Sequence, residues 1–181
     1  SVSKGINGLR KAQAKYYRRR FNVHLDFNKE IIVTIGSKEG LANLAQAITS
    51  KGDKILCPDP SYPVHPYGFT IAGAKLISLK TIYNGNFNPK KYLINIERNV
   101  KKNSKIKAVI VSFPSNPTAQ TVNIDFYKDL VKLAKKNDIY ILSDLAYSEI
   151  YFENNPPPSI LEVNGAKKVA VEFTTLSKTY A

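Results

Sequence analysis

The chain has 181 residues, 43% apolar and 23% charged, a balance that supports one sizeable core and excludes wholesale disorder. Its formal charge is +13, from 27 basic and 14 acidic residues, an excess that in other proteins serves anionic partners. No apolar run approaches the roughly 20 residues of a membrane helix, and the single cysteine, Cys57, excludes an internal disulfide.

In chain order, residues 5–20 read as a helix with Leu9, Ala12, Tyr16 and Tyr17 on its inward side. Short β-branched runs follow at 31–35, 54–57, 75–79, 107–113, 138–143 and 168–173. Several are apolar almost throughout, as expected for strands covered on both faces. Between them, helical spacing places Leu41, Leu44, Ala45 and Ile48 on one face, and Phe126, Leu130, Leu133 and Ala134 on another. Punctuation falls at the joints: Lys51-Gly52-Asp53, Asn84-Gly85, Pro156-Pro157-Pro158 and Asn164-Gly165. The alternation predicts an α/β fold, a mainly parallel sheet with helices on both faces, as one domain.

The charge reads as a Lys-rich solvated surface with no specific nucleic-acid partner. Only five basic residues are arginine, whereas base-edge readout leans on Arg forks. The densest clusters, Arg18-Arg19-Arg20 and Lys101-Lys102 with Lys105 and Lys107, contain no stacking aromatic, although Tyr16 and Tyr17 precede the first. The first twenty residues lack the apolar core of a signal peptide, and one free cysteine suits a reducing cytoplasm. His24, His65 and Cys57 are too few for a zinc site.

In such sheets, sites collect at the carboxyl ends of strands. Gly36-Ser37-Lys38-Glu39-Gly40 opens a helix after the first run, where free N–H groups make a phosphate seat, unless Ser37 simply caps the helix. Pro58-Asp59-Pro60-Ser61-Tyr62-Pro63 follows the second run. Its stiff loop holds Tyr62 either to stack on a flat ring or as a core tyrosine. His65, just beyond, reads as structural or solvated. Asn116 sits between Pro114 and Pro117 at a loop tip, its amide available to a ligand. Asp144 ends an apolar strand, where a carboxylate is costly unless a donor or cation meets it, and Tyr147 follows by three. Lys178, flanked by hydroxyls after the last run, is a candidate amine nucleophile.

This ordered set resembles the fold type I, pyridoxal-phosphate-dependent aminotransferases of class I and II. The resemblance is carried by Gly36-Ser37-Lys38-Glu39-Gly40, Pro60-Ser61-Tyr62-Pro63, Asn116-Pro117-Thr118, Asp144-Leu145-Ala146-Tyr147 and Ser177-Lys178. Within that family, the segments 113–120 and 171–178 look most like bacterial alanine (glutamate–pyruvate) aminotransferases, with aspartate and diaminopimelate enzymes less close. The resemblance implies that Lys178 forms a Schiff base with pyridoxal 5'-phosphate and moves a proton at the substrate α-carbon. It implies that Asp144 pairs with the pyridine nitrogen, that Tyr147 and Asn116 bond the ring's phenolic oxygen, and that Tyr62 stacks on the ring. Gly36, the Ser37 hydroxyl, the Ser37 and Lys38 N–H groups and Thr175 are implied to hold the phosphate.

The same resemblance implies amino-acid and 2-oxo-acid substrates exchanged in ping-pong fashion, a homodimer and no membrane partner. Members of the family also have an N-terminal arm, an arginine after the lysine, a further antiparallel strand inside the sheet and a smaller C-terminal domain. A chain running from Ser1 to Ala181 without an initiator Met is therefore expected to be a partial large domain. It should have an unfilled slot in its sheet and no turnover alone. A different amino-acid specificity, β-elimination by a lyase of the same fold, and a non-catalytic remnant stand as alternative readings.

Overall fold

The computed structural model describes residues 2–180. Five strands form one parallel sheet in the order β2-β1-β5-β6-β7, with β1 Lys54–Asp59, β2 Lys75–Lys80, β5 Ile106–Ser112, β6 Tyr140–Asp144 and β7 Ala170–Phe173. The intervening β3 (Ile82–Tyr83) and β4 (Asn86–Phe87) make a small antiparallel hairpin. Its turn is Asn84-Gly85, both at positive φ, the pair the sequence marks as punctuation.

Both faces of the sheet are covered, so strand side chains alternate between two apolar layers. Leu56, Val109, Val111 and Ile141 pack with Tyr92, Ile96, Phe126, Leu130 and Ala134 from α4 (Pro89–Lys102) and α5 (Ile124–Asn137). Ile55, Cys57, Ala108, Ile110 and Leu142 face the other way, against Leu41 and Ala45 of α2 (Gly36–Ile48) and Phe69 of α3 (Val64–Ile71). A third cluster joins Tyr17 and Phe21 of α1 (Asn7–Phe21) to Val23 and Leu145. Side-chain caps fix where α4 and α5 begin. Asn88 accepts from the Lys91 N–H ahead of Pro89, and Asn123 accepts from the Phe126 N–H, each worth about 1 kcal/mol.

Two expectations change. The 31–35 run is not a strand: it joins neither sheet, although the Val33 N–H donates to the Lys4 carbonyl at 3.0 Å, and Ile32 and Ile35 are 65% and 89% exposed. Strand preference expresses fit to a sheet, and β7 ends the sheet on that side with Val171 outward. The five strands pair in succession without a gap, so β7 is an edge and the unfilled slot expected inside the sheet is not formed. Arg20, read as part of a solvated cluster, instead turns inward from α1. Its guanidinium donates to Glu149 (3.1 Å) and to the carbonyls of Ser148 and Pro157, both at 3.2 Å. Among the described residues no helix is long and apolar enough to cross a membrane.

Candidate active site

The order reverses between β1 and β5: the chain leaves β1 toward β2 on one side and enters β5 on the other. Crevices at such reversals are where open α/β sheets bind ligands. The loops beyond β1 and β5 line one cleft there with Pro58, Ser61, His65, Ser112 and Asn116. Three X–Pro peptides nearby are cis: Asp59-Pro60, Phe113-Pro114 and Asn116-Pro117.

Asp144 closes β6 and is buried. One carboxylate oxygen, Oδ2, lies 2.8 Å from His65 Nε2. The other, Oδ1, is buried without a partner among the described residues, as is His65 Nδ1. His65 is fully buried at the start of α3. Burial overturns the solvated alternative of the sequence reading and agrees with the structural one, while the bond to Asp144 makes His65 the partner of a candidate site residue. Its partner lies 79 positions later, and only the adjacency of α3 to the sheet's carboxyl edge brings the two together. A buried carboxylate oxygen left bare calls for a donor, and a protonated ring nitrogen is of that chemistry.

Asn116 and Tyr147 also meet, the amide Nδ2 donating to the phenol oxygen at 3.1 Å. The loop carrying Tyr147 is tied to α1, since Tyr16 and Arg20 both donate to Glu149. Burial and the neighbouring Glu149 push the Tyr16 phenol up to about 12, so it stays a donor. Tyr62 is half-buried with its ring edge-on to His65 at 6.2 Å, and the Lys38 ammonium lies 5.4 Å from the Tyr62 ring centre.

Gly36, at φ +74, opens α2. Its N-cap, Ile35, makes no side-chain cap bond, while the Glu39 carboxylate accepts from the Ile35 N–H. Ser37 lies inside its first turn and not at the cap, so the Ser37 and Lys38 N–H groups have no intrahelical acceptor. The start of α2 abuts the end of β7 through Gly40, where a Cβ would come 2.9 Å from Thr34 Oγ1 and 3.4 Å from the Phe173 ring. Beyond β7, Thr175 caps α6 (Leu176–Thr179) by accepting from the Ser177 N–H at 3.3 Å. Lys178 projects from α6, exposed, with no hydrogen bond or ion pair to another described residue. The fold thus pairs Asp144 with His65, Asn116 with Tyr147, and Lys38 with Tyr62. It leaves Ser37, Thr175 and Lys178 unlinked to those pairs by direct bonds.

The family model for aminotransferase class I and II matches residues 2–181. The chain is 46% identical over 181 residues to glutamate-pyruvate aminotransferase AlaC of Escherichia coli (strain K12), covering 99% of this chain and 43% of that one. It is 48% identical over 172 residues to an LL-diaminopimelate aminotransferase of Aquifex aeolicus (strain VF5), covering 95% and 43%. Aspartate aminotransferase from Thermus thermophilus, solved with maleate, superposes with a TM-score of 0.88 at 28% identity, over 99% of this chain and 45% of that one. The chain spans less than half the length of these relatives. From its β1 cleft to the lysine beyond β7, it belongs to the class I and II aminotransferases.

Proposed function

We propose that this chain is the cofactor-binding part of a pyridoxal-5'-phosphate-dependent aminotransferase. The protein moves an amino group between an amino acid of alanine or glutamate type and a 2-oxo acid, and it works as a homodimer in the cytoplasm. The observation that carries the reading is the buried, bare Oδ1 of Asp144 beside an oxygen already held by His65. That oxygen suits the protonated nitrogen of a pyridine ring.

Each residue then has a chemical task. Asp144 keeps a proton on the ring nitrogen, and His65 aims the Asp144 carboxyl group by the bond to its Oδ2. Asn116 and Tyr147, already joined, hydrogen-bond the ring's phenolic oxygen. Tyr62 supplies an aromatic face for the ring. Gly36 allows the backbone to turn so that the Ser37 and Lys38 N–H groups and the Ser37 hydroxyl, with Thr175, hold the phosphate against the positive end of α2. Lys178 links to the cofactor and takes and returns the proton of the substrate α-carbon. When bound, pyridoxal phosphate supplies an electron sink for the electrons that proton leaves behind.

The amino-acid preference is tested on the complete protein by measuring amino transfer from alanine, glutamate, aspartate and LL-diaminopimelate to 2-oxo acids. The proposal expects alanine and glutamate to lead. A second reading, diaminopimelate, has the support of the Aquifex relative's similar identity, and leading turnover of LL-diaminopimelate establishes it instead. Absence of transfer from every donor, with release of a thiol from an added β-thioether amino acid, makes the protein a lyase. No cofactor uptake removes both readings.

A further inference from the structure

Glu172 lies within β7, folded inward, with no ion pair to any described residue. Its carboxylate accepts four hydrogen bonds. One oxygen takes Tyr17 Oη at 3.0 Å and Ser159 Oγ at 2.5 Å. The other takes Ser143 Oγ and the Ile160 N–H, both at 3.1 Å. The donors come from α1, from β6, and from the 3-10 turn Ile160–Glu162 with its Ser159 cap. Burial pushes this carboxyl up despite those donors. One side chain therefore fastens β7 to three other elements.

Where Glu172 sits gives the fastening its consequence. In the parallel ladder, Ser143 is opposite Glu172 and Asp144 is opposite Phe173. The next bond, Leu145 N–H to the Phe173 carbonyl at 2.8 Å, ends the pairing. The Ser143 bond thus braces β6 one residue before Asp144, at the open end of the strand, where the ladder is about to stop. On the opposite face of the strand, Asp144 has only His65 to hold it. The braced β7 itself runs on to Thr175 and Lys178.

We propose that Glu172 is a positioning residue for Asp144. Acting through Ser143, it fixes where the Asp144 carboxylate presents its bare oxygen, and it sets the course of β7 toward Thr175 and Lys178. The proposal rests on the reading of Asp144 given above. It is geometric, so a neutral side chain of the same shape serves as well. Glutamine, turned with Oε1 toward Ser143 and the Ile160 N–H, donates its two amide protons to the Tyr17 and Ser159 hydroxyls, which then accept.

The test compares Glu172→Ala, Glu172→Gln and Ser143→Ala in the 181-residue chain, each kept below its melting temperature. The first readout is the proton resonance of His65 Nε2, shared with Asp144, taken without cofactor. The second is the affinity for pyridoxal phosphate by absorbance titration. Both alanine variants are expected to move or broaden the resonance and to weaken affinity about tenfold, the scale of outer partners at metal sites. Glu172→Gln is expected to keep both at the parent values. If Glu172→Ala fails to fold, Ser143→Ala decides, since it leaves three of the four bonds intact. A parent-like resonance in Ser143→Ala, or Glu172→Gln behaving as an alanine variant, overturns the proposal. If the parent binds no cofactor, the reading of Asp144 fails, while the resonance still reports whether Glu172 braces it.

Discussion

Replacing His65 by Phe removes the only hydrogen-bond partner of the Asp144 side chain among the described residues while keeping a ring of similar size, so little cavity opens. The His65 side chain is fully buried and that of Asp144 is 9% exposed, so solvent does little to screen the loss. A hydrogen bond to a charged group contributes about 1.5–3 kcal/mol, and a carboxylate left bare in the interior costs a comparable amount. For a domain of this size, each kcal/mol lowers the melting temperature by about 2–4 °C, so the two costs together, about 3–6 kcal/mol, give about 6–24 °C. Urea denaturation of the parent, His65→Phe, Asp144→Leu and the double variant measures the coupling directly. The double variant is expected to be more stable than the sum of the single losses, because an apolar pair no longer strands a buried charge. Parent-like stability of His65→Phe, or strict additivity, refutes the view that these two residues form one unit.

Gly40→Ala is expected to cost about 1–3 kcal/mol through overpacking against Thr34 and Phe173. Adding Thr34→Ala should return part of that in a thermal melt, and an unchanged melt for Gly40→Ala alone contradicts the close approach of α2 to β7. Burial pushes the Cys57 thiol up to about 11, so at pH 8 about one thiol in a thousand is the reactive thiolate. Alkylation should be slow in the folded chain, rise as the pH approaches that value, and be fast at pH 8 in urea; equal rates at pH 8 with and without urea contradict the burial. Asn116→Ala should lose about 0.5–1.5 kcal/mol of stability with the Tyr147 bond. It should also weaken pyridoxal phosphate binding, and an unchanged titration argues against a shared contact with the ring.

The sheet was legible because its strands are buried on both faces. Runs such as Val109-Ile110-Val111 have no polar alternation to confuse with a surface strand. The 31–35 run carries the same local signal, yet strand formation needs a neighbour and β7 is left as the edge. Helix α3 escaped notice because Pro66 and Gly68 dilute its pattern. Helix α4 is likewise absent from the sequence reading, although Asn88-Pro89 marks its start and Tyr92, Ile96 and Val100 share one face. At the candidate site, residues in short motifs at strand ends are legible one at a time, because loop chemistry marks each locally. His65 and Glu172 were missed for the opposite reason. Each acquires its role from partners far along the chain, Asp144 for the first and Tyr17, Ser143 and Ser159 for the second. No local pattern encodes that meeting.

The central claim is that Lys178 and the groups around Asp144 form one pyridoxal-phosphate site. Intact mass after incubation with pyridoxal phosphate and borohydride reduction, on the parent and on Lys178→Ala, tests it most directly. One cofactor adduct is expected on the parent and none on the variant. No adduct on the parent, or equal labelling of the two chains, contradicts it.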